Sequence, residues 1–233
     1  VFSIPGDPEL IDKSSTEYKI GKNLVLGCGY GLGGAKFVAY SEKAGVEITE
    51  AFAKQAVKSY RTKHRKIVQF WYDVERCAIA AVQKRSTKQA PIVLRNLTFY
   101  MDAQWLCISL PSGRSLRYYR PRVIPVEKYG QPSYQLQFKT EFRGQLVPET
   151  TYGGKLVENI TQAVARDLLV KGMFEAEAHG YAVHGTVHDE IITEQDPDAG
   201  SVHELEQIVC KLPEWADGLP LSAEGFESYR YRK

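Results

Sequence analysis

The chain has 233 residues, 43% of them hydrophobic and 25% charged, with a formal net charge of +2. This is ordinary for a globular protein of one large or two small domains with a real core. No apolar run reaches the roughly eighteen residues a membrane span needs, and near-neutrality leaves nucleic-acid binding to be decided by where the charge sits.

The opening residues, Val1-Phe2-Ser3-Ile4-Pro5-Gly6, have neither a basic n-region nor an apolar h-region, so no signal peptide is predicted. A first residue other than Met reads as a piece of something longer or a processed product. Residues 1–13 are punctuated by Pro and Asp and read as irregular. Ser14, Ser15 and Thr16 then offer N-caps for a helix through Lys19, Lys22 and Val25. Gly27, Gly29, Gly31, Gly33 and Gly34 interrupt it, since each interior glycine costs a helix roughly 1 kcal/mol against alanine. A second helix is predicted over Lys36–Lys43, and a third opens at Thr49 with Glu50 in its first turn. A fourth contains Ile67, Phe70, Trp71, Val74, Cys77 and Ala78 at helical spacing. Lys54, Lys58, Arg61, Lys63, Arg65 and Lys66 crowd one segment, which reads as a solvated helix face or as a track for a phosphate backbone.

The character changes near residue 89. From Pro91 to about Tyr152 the chain is rich in Tyr, Val, Leu and Thr, with turn signals at Pro111-Ser112-Gly113 and Tyr129-Gly130-Gln131-Pro132, which predicts antiparallel hairpins. A long helix follows from about Gly154 to Gly172. Two strands around His188-Asp189, a helix near Val202–Cys210 and a last strand near Leu219–Ala223 complete an α+β chain. The four cysteines, Cys28, Cys77, Cys107 and Cys210, form no Cys-x-x-Cys pair, which argues against a zinc site or redox dithiol and fits a reducing cytosol.

Three segments carry chemistry. Asn23 to Lys36 reads in two ways. As strand, glycine loop and helix it would be a dinucleotide-binding fingerprint. As one helix over 16–30 it would put Lys19, Lys22, Leu26 and Tyr30 on a shared face: two cations, an apolar contact and an aromatic ring, in the order a triphosphate, sugar and base require. In the long helix, Lys155, Glu158, Gln162 and Arg166 make a polar stripe, while Leu156, Ile160, Val164 and Leu168 make an apolar one. Val187-His188-Asp189-Glu190 places two carboxylates at a hairpin corner, and Mg²⁺ favours such oxygen ligands beside substrate phosphates. His184 and His188 are four apart with no third zinc ligand near, so His184 reads as structural. Trp71, Trp105 and Trp215 read as core or interface aromatics.

Lys22, followed after seven residues by Tyr30-Gly31, resembles the fingers-helix motif of family A DNA polymerases. Val187-His188-Asp189-Glu190 resembles the last palm motif of that family. Tyr152-Gly153-Gly154-Lys155 through Asp167 is similar to its primer–template helix in bacteriophage form, and Leu110-Pro111-Ser112-Gly113-Arg114 and the ending Ala223-Glu224-Gly225…Tyr231-Arg232-Lys233 are also phage-like. The resemblance implies fingers over 1–89, a hairpin-rich fingers–palm connection over 90–152 and carboxyl-terminal palm over 153–233, without the amino-terminal palm strand, thumb or exonuclease. It implies that Lys19 and Lys22 contact the triphosphate of a dNTP, with Leu26, Tyr30 and Gly31 at the nucleotide. Lys155, Gln162, Arg166 and His188 would contact the DNA primer–template. Asp189 would bind catalytic Mg²⁺ with Glu190 in support.

Two positions depart from the family pattern: Tyr18 stands where an arginine is usual, and Leu26 where an aromatic is usual. The second metal-binding aspartate of the two-ion site is also missing from its expected place, and Asp102 comes in the wrong order to replace it. The resemblance therefore implies half of a split or incomplete enzyme, completed by an amino-terminal polymerase fragment in the cytoplasm of an infected or prophage-carrying bacterium. The alternatives are a non-catalytic DNA-binding or assembly subunit of a replication complex, and a nucleotide-dependent oxidoreductase built on the glycine segment.

Overall fold

The computed structural model describes residues 12–128, 130–196 and 199–231. The irregular start over 1–11, Tyr129 of the second turn, and Arg232 and Lys233 lie outside the described residues. The chain divides into two compact units, one holding residues up to 108 and 115–159, the other 109–114 and residues from 160 on.

The first unit opens with four helices: α1 (Thr16–Cys28), α2 (Gly34–Lys43), α3 (Glu50–Lys63) and α4 (Arg65–Lys84). The caps read from the sequence are in place. The Ser15 hydroxyl accepts the Tyr18 N–H at 3.2 Å, and the Thr49 hydroxyl accepts that of Phe52 at 3.2 Å. Ile20 and Cys28 of α1, Phe37 of α2, and Ala53, Ala56, Val57 and Tyr60 of α3 form one buried core. This core overturns the dinucleotide-loop reading. Residues 23–26 are helical, because the buried side of α1 runs from Ile20 to Cys28 and the glycine run begins to break the helix only after it.

In α4 the buried stripe starts at Trp71 and continues through Val74, Cys77, Ala78 and Ala81. Ile67, counted in that stripe from spacing alone, is 37% exposed. The buried face of α4 packs on the sheet, chiefly on β1 (Ile92–Leu94) and β2 (Leu97–Asp102). β3 (Trp105–Ser109), β4 (Ser115–Lys128), β5 (Gln131–Phe142) and β6 (Gln145–Thr151) follow in spatial order, giving a six-stranded antiparallel meander as expected. Phe99, Leu106, Ile108 and Leu136 are fully buried in it.

α5 (Gly153–Ala178) begins in the first unit and belongs to the second from Ile160 on. It outruns its expected end at Gly172, which stays helical beneath Val209 and Ile191. The second unit adds a two-stranded sheet of β7 (Ala182–Val187) and β8 (Glu190–Glu194), then α6 (Val202–Val209) and a 3₁₀ turn over Glu214–Ala216. Tyr181 ties α6 in place, donating to the Glu204 carboxylate at 2.7 Å and accepting the Ser201 N–H at 3.0 Å.

The strand expected near Leu219–Ala223 does not form. The Leu219 N–H turns back to the Ala216 carbonyl at 3.0 Å, and Leu219 and Leu221 stay 43% and 38% exposed. An apolar run without a ladder partner has no acceptors for its amides in extended form. No helix among the described residues is long and apolar enough to cross a membrane.

Candidate functional site

The candidate residues fall in two groups, one in each unit. In the first, α1 turns Ile20, Asn23 and Cys28 into the core and leaves Lys19, Lys22 and Leu26 exposed on the opposite side. Leu26 and Val25 are 49% and 58% exposed, an apolar surface directly beyond two lysines. Tyr30 and Gly31 follow in the turn that closes the helix and are half-buried. Gly31 has φ +89°, a conformation L side chains rarely adopt, and a Cβ there would sit 3.4 Å from the Tyr152 ring.

Two further glycines set this corner. A Cβ on Gly154 would lie 2.2 Å from the Tyr30 carbonyl oxygen, and one on Gly153 would lie 2.0 Å from that of Trp71. Only a bare backbone admits that approach, so the first turn of α5 is pressed against the end of α1 and the middle of α4. Trp71, 5% exposed, donates its indole N–H to the Gly29 carbonyl at 2.8 Å. It thereby caps the α1 terminus from which Tyr30 and Gly31 emerge. Lys155 stands in the same turn of α5 and is ion-paired with Glu158 at 3.0 Å.

In the second unit β7 and β8 close with Val187 paired to Glu190, which leaves His188 and Asp189 as a two-residue loop. His188 takes φ +57°, a left-handed conformation in which histidine is enriched among non-glycine residues. Primed hairpin turns need a positive φ there. Asp189 is exposed at the tip, and Glu190 beside it is half-buried. The Tyr231 hydroxyl donates to the Glu190 carboxylate at 3.0 Å. That hydrogen bond is the main reason the phenol is held above its ordinary pKa.

Arg166 on α5 donates to the Thr186 hydroxyl at 3.4 Å, so it joins the hairpin, and Gln162 lies exposed one turn earlier. Arg114 fixes this stretch of α5 through Asp167 Oδ1 at 2.6 Å and the Ala163 carbonyl at 2.8 Å. The Ser112 hydroxyl donates to Asp167 Oδ2 at 2.5 Å. His184 Nε2 lies 3.2 Å from the Glu194 carboxylate across the hairpin, with both side chains exposed. Asp102 lies at the end of β2 in the first unit, 3.5 Å from Arg117, with both side chains exposed.

Along its whole length, over 234 aligned positions, the sequence is 37% identical to a protein described as a DNA polymerase from Bacillus phage SP02. The chain is similar to a phage DNA polymerase. It spans about a third, 35%, of that polymerase. No family model matches the chain, and no solved structure matches it.

Spacing and the family resemblance pointed to residues on α1 and at the hairpin as candidates. Neither pointed to the residues that support them. The adjacent pair Gly153-Gly154 at a helix start was a readable sign of close backbone approach. Tyr231 carried no sign beyond a basic, aromatic ending. Asp167 lies on neither stripe of α5, and its bonding to Arg114 depends on how residues 109–114 meet the helix.

Among the described residues no three His, Cys, Asp or Glu side chains cluster as a metal cage. Mg²⁺ is commonly held by one or two carboxylates with water and substrate phosphate. Asp189 and Glu190, adjacent at a turn tip, have that chemistry.

Proposed function

We propose that the chain is the fingers and carboxyl-terminal palm of a family A, phage-type DNA polymerase. In this reading it extends the 3′-hydroxyl of a DNA primer with a dNTP, the template choosing the base. One observation carries it: an exposed aspartate at the tip of a two-residue hairpin, in a chain similar throughout to a phage DNA polymerase.

The primer oxygen attacks the α-phosphorus and pyrophosphate leaves. Lys22, with Lys19 one turn before it, faces the triphosphate and offsets the negative charge that develops on it. Leu26 lies against the sugar, and Tyr30 against the nascent base pair. Gly31 keeps that space open by lacking a Cβ. Gln162 and Arg166 hold the primer–template, with Lys155 at the start of the same helix and His188 beside the primer end. Asp189 would hold Mg²⁺, with Glu190 in support. When bound, the ion supplies positive charge at the reacting phosphate and lowers the pKa of the attacking hydroxyl.

A two-ion site takes carboxylates from two places, and Asp102 follows the α1 helix in the chain where the family pattern puts the other aspartate before it. The second aspartate therefore comes from an amino-terminal polymerase segment beyond these residues, on the same polypeptide or on a partner chain. The site of action is the cytoplasm of an infected or prophage-carrying bacterium.

The test is primer extension by the chain combined with the preceding portion of a phage polymerase of this kind. We expect extension with the native sequence. Asp189→Ala should lower it by roughly a thousandfold or more, the several kcal/mol a metal-held charge contributes, with DNA affinity kept. Full extension by Asp189→Ala would refute the role of that residue. Salt-dependent DNA binding with no extension under any complementation would favour a non-catalytic DNA-binding or assembly subunit.

A further inference from the structure

The residues from Gly29 to Leu32 make the turn that leaves α1 and carries Tyr30 and Gly31. Their amides turn back on the helix. Those of Tyr30 and Leu32 donate to the Gly27 carbonyl at 3.3 and 3.2 Å, and that of Gly31 to the Cys28 carbonyl at 3.2 Å. The carbonyls of the turn itself lie past the helical ladder, and such groups must find donors elsewhere.

They find them on α3 and α4. The Trp71 indole N–H donates to the Gly29 carbonyl at 2.8 Å, and the Arg61 guanidinium donates to those of Gly31 and Leu32 at 3.5 and 3.4 Å. The Tyr30 carbonyl is pressed against Gly154, where a Cβ would lie 2.2 Å from it. Arg61 also brings a charge that α1 lacks. The helix has no basic residue in its last turn, and a cation there offsets the negative end of its dipole. Cys28, at the end of α1, feels that charge as a downward pull on its thiol, smaller than the upward push of burial. Neither Trp71 nor Arg61 has a part in the chemistry assigned above.

We infer that Trp71 and Arg61 are positioning residues for Tyr30, and that discrimination between matched and mismatched base pairs at that ring depends on them. The inference rests on the polymerase reading above. A surface rejects a badly shaped pair only where it does not yield, which requires placement to about half an ångström. Tyr30 is only half-buried and has a glycine on either side, so the local sequence supplies little stiffness. The stiffness comes instead from donors 29 to 42 residues away in the chain. Without them the turn gives, and a mismatched pair gains on a matched one.

The experiment uses the chain completed by the preceding polymerase portion. It measures kcat and KM for a matched and a mismatched dNTP on one primer–template. Trp71→Phe keeps an aromatic ring and removes the N–H. It should lower the ratio of matched to mismatched kcat/KM by about tenfold, the upper range for one lost hydrogen bond. Arg61→Gln should lower the ratio by about threefold, its contacts being longer and exposed. Arg61→Lys, which restores the cation, should recover more than half of that loss. The ratio does not depend on how much of the protein is folded, so it separates positioning from stability. Phe99→Leu, in the fully buried part of the sheet, should lower the melting temperature and leave the ratio within about twofold of native.

A fall confined to the turn variants supports the inference. If the native protein extends the primer and the ratio is unchanged in both Trp71→Phe and Arg61→Gln, the inference is overturned and the polymerase reading stands. An equal fall in Phe99→Leu also overturns it, because loss of stability would then be the cause. If the native protein extends no primer, both fall.

Discussion

Cys28 has no solvent exposure, and burial pushes its thiol from 9.0 to about 11, against a smaller opposing pull from Arg61. The unfolded thiol ionises from about pH 9 while the folded one keeps its proton. This contribution to stability is therefore complete below pH 9 and is lost as pH rises toward 11. Urea melts at pH 8, 9.5 and 10.5 should show falling midpoints, and Cys28→Ala should flatten that decline. Asp167 accepts from Arg114 and Ser112 with its side chain only 12% exposed. Asp167→Asn should cost about 1 kcal/mol in a denaturant melt, because the Arg114 and Ser112 hydrogen bonds lose their charged acceptor while the Arg114 side chain, 47% exposed, stays solvated. Tyr231→Phe removes one hydrogen bond from Glu190 and leaves Asp189 intact. In the complemented primer-extension assay it should lower the rate by about fivefold, the equivalent of roughly 1 kcal/mol, and should not abolish activity.

For the elements, local pattern was legible wherever caps and periodicity agreed. α1 and α3 begin within a residue or two of their predicted caps, since Ser15 and Thr49 supply side-chain oxygens that the first-turn amides need. The meander was legible from turn residues between β-rich runs. Two readings failed for the same reason. Leu219–Ala223 has strand composition but no partner to pair with, and α5 passes Gly172 because Val209 and Ile191 pack against it. Neighbours distant in sequence outweighed local propensity in both. The start of α5 gives the sharpest test. Gly154→Ala places a methyl 2.2 Å from the Tyr30 carbonyl oxygen, where no flexible side chain can yield. It should destabilise the protein by about 3 kcal/mol or more, the upper range for overpacking, whereas an alanine in an open helix interior would stabilise it. Thermal unfolding of the two proteins decides this.

Across the whole molecule, burial sorts the four cysteines. Cys28, Cys77 and Cys107 are buried, and burial pushes each of their thiols up, while Cys210 is half-exposed. A thiol reagent at pH 8 should label Cys210 within minutes and the other three only on unfolding. Rapid labelling of two or more would contradict the packing of the first unit.

The order of helices and hairpins, and the two-residue turn at His188-Asp189, could be read from the chain because caps, turn residues and side-chain periodicity act over a few residues. The press of Gly153-Gly154 against Tyr30 and Trp71, the hold of Tyr231 on Glu190 and the grip of Trp71 and Arg61 on the turn after α1 could not. Each depends on segments brought together by core packing, and no local rule encodes which backbone atoms will then lie within van der Waals reach.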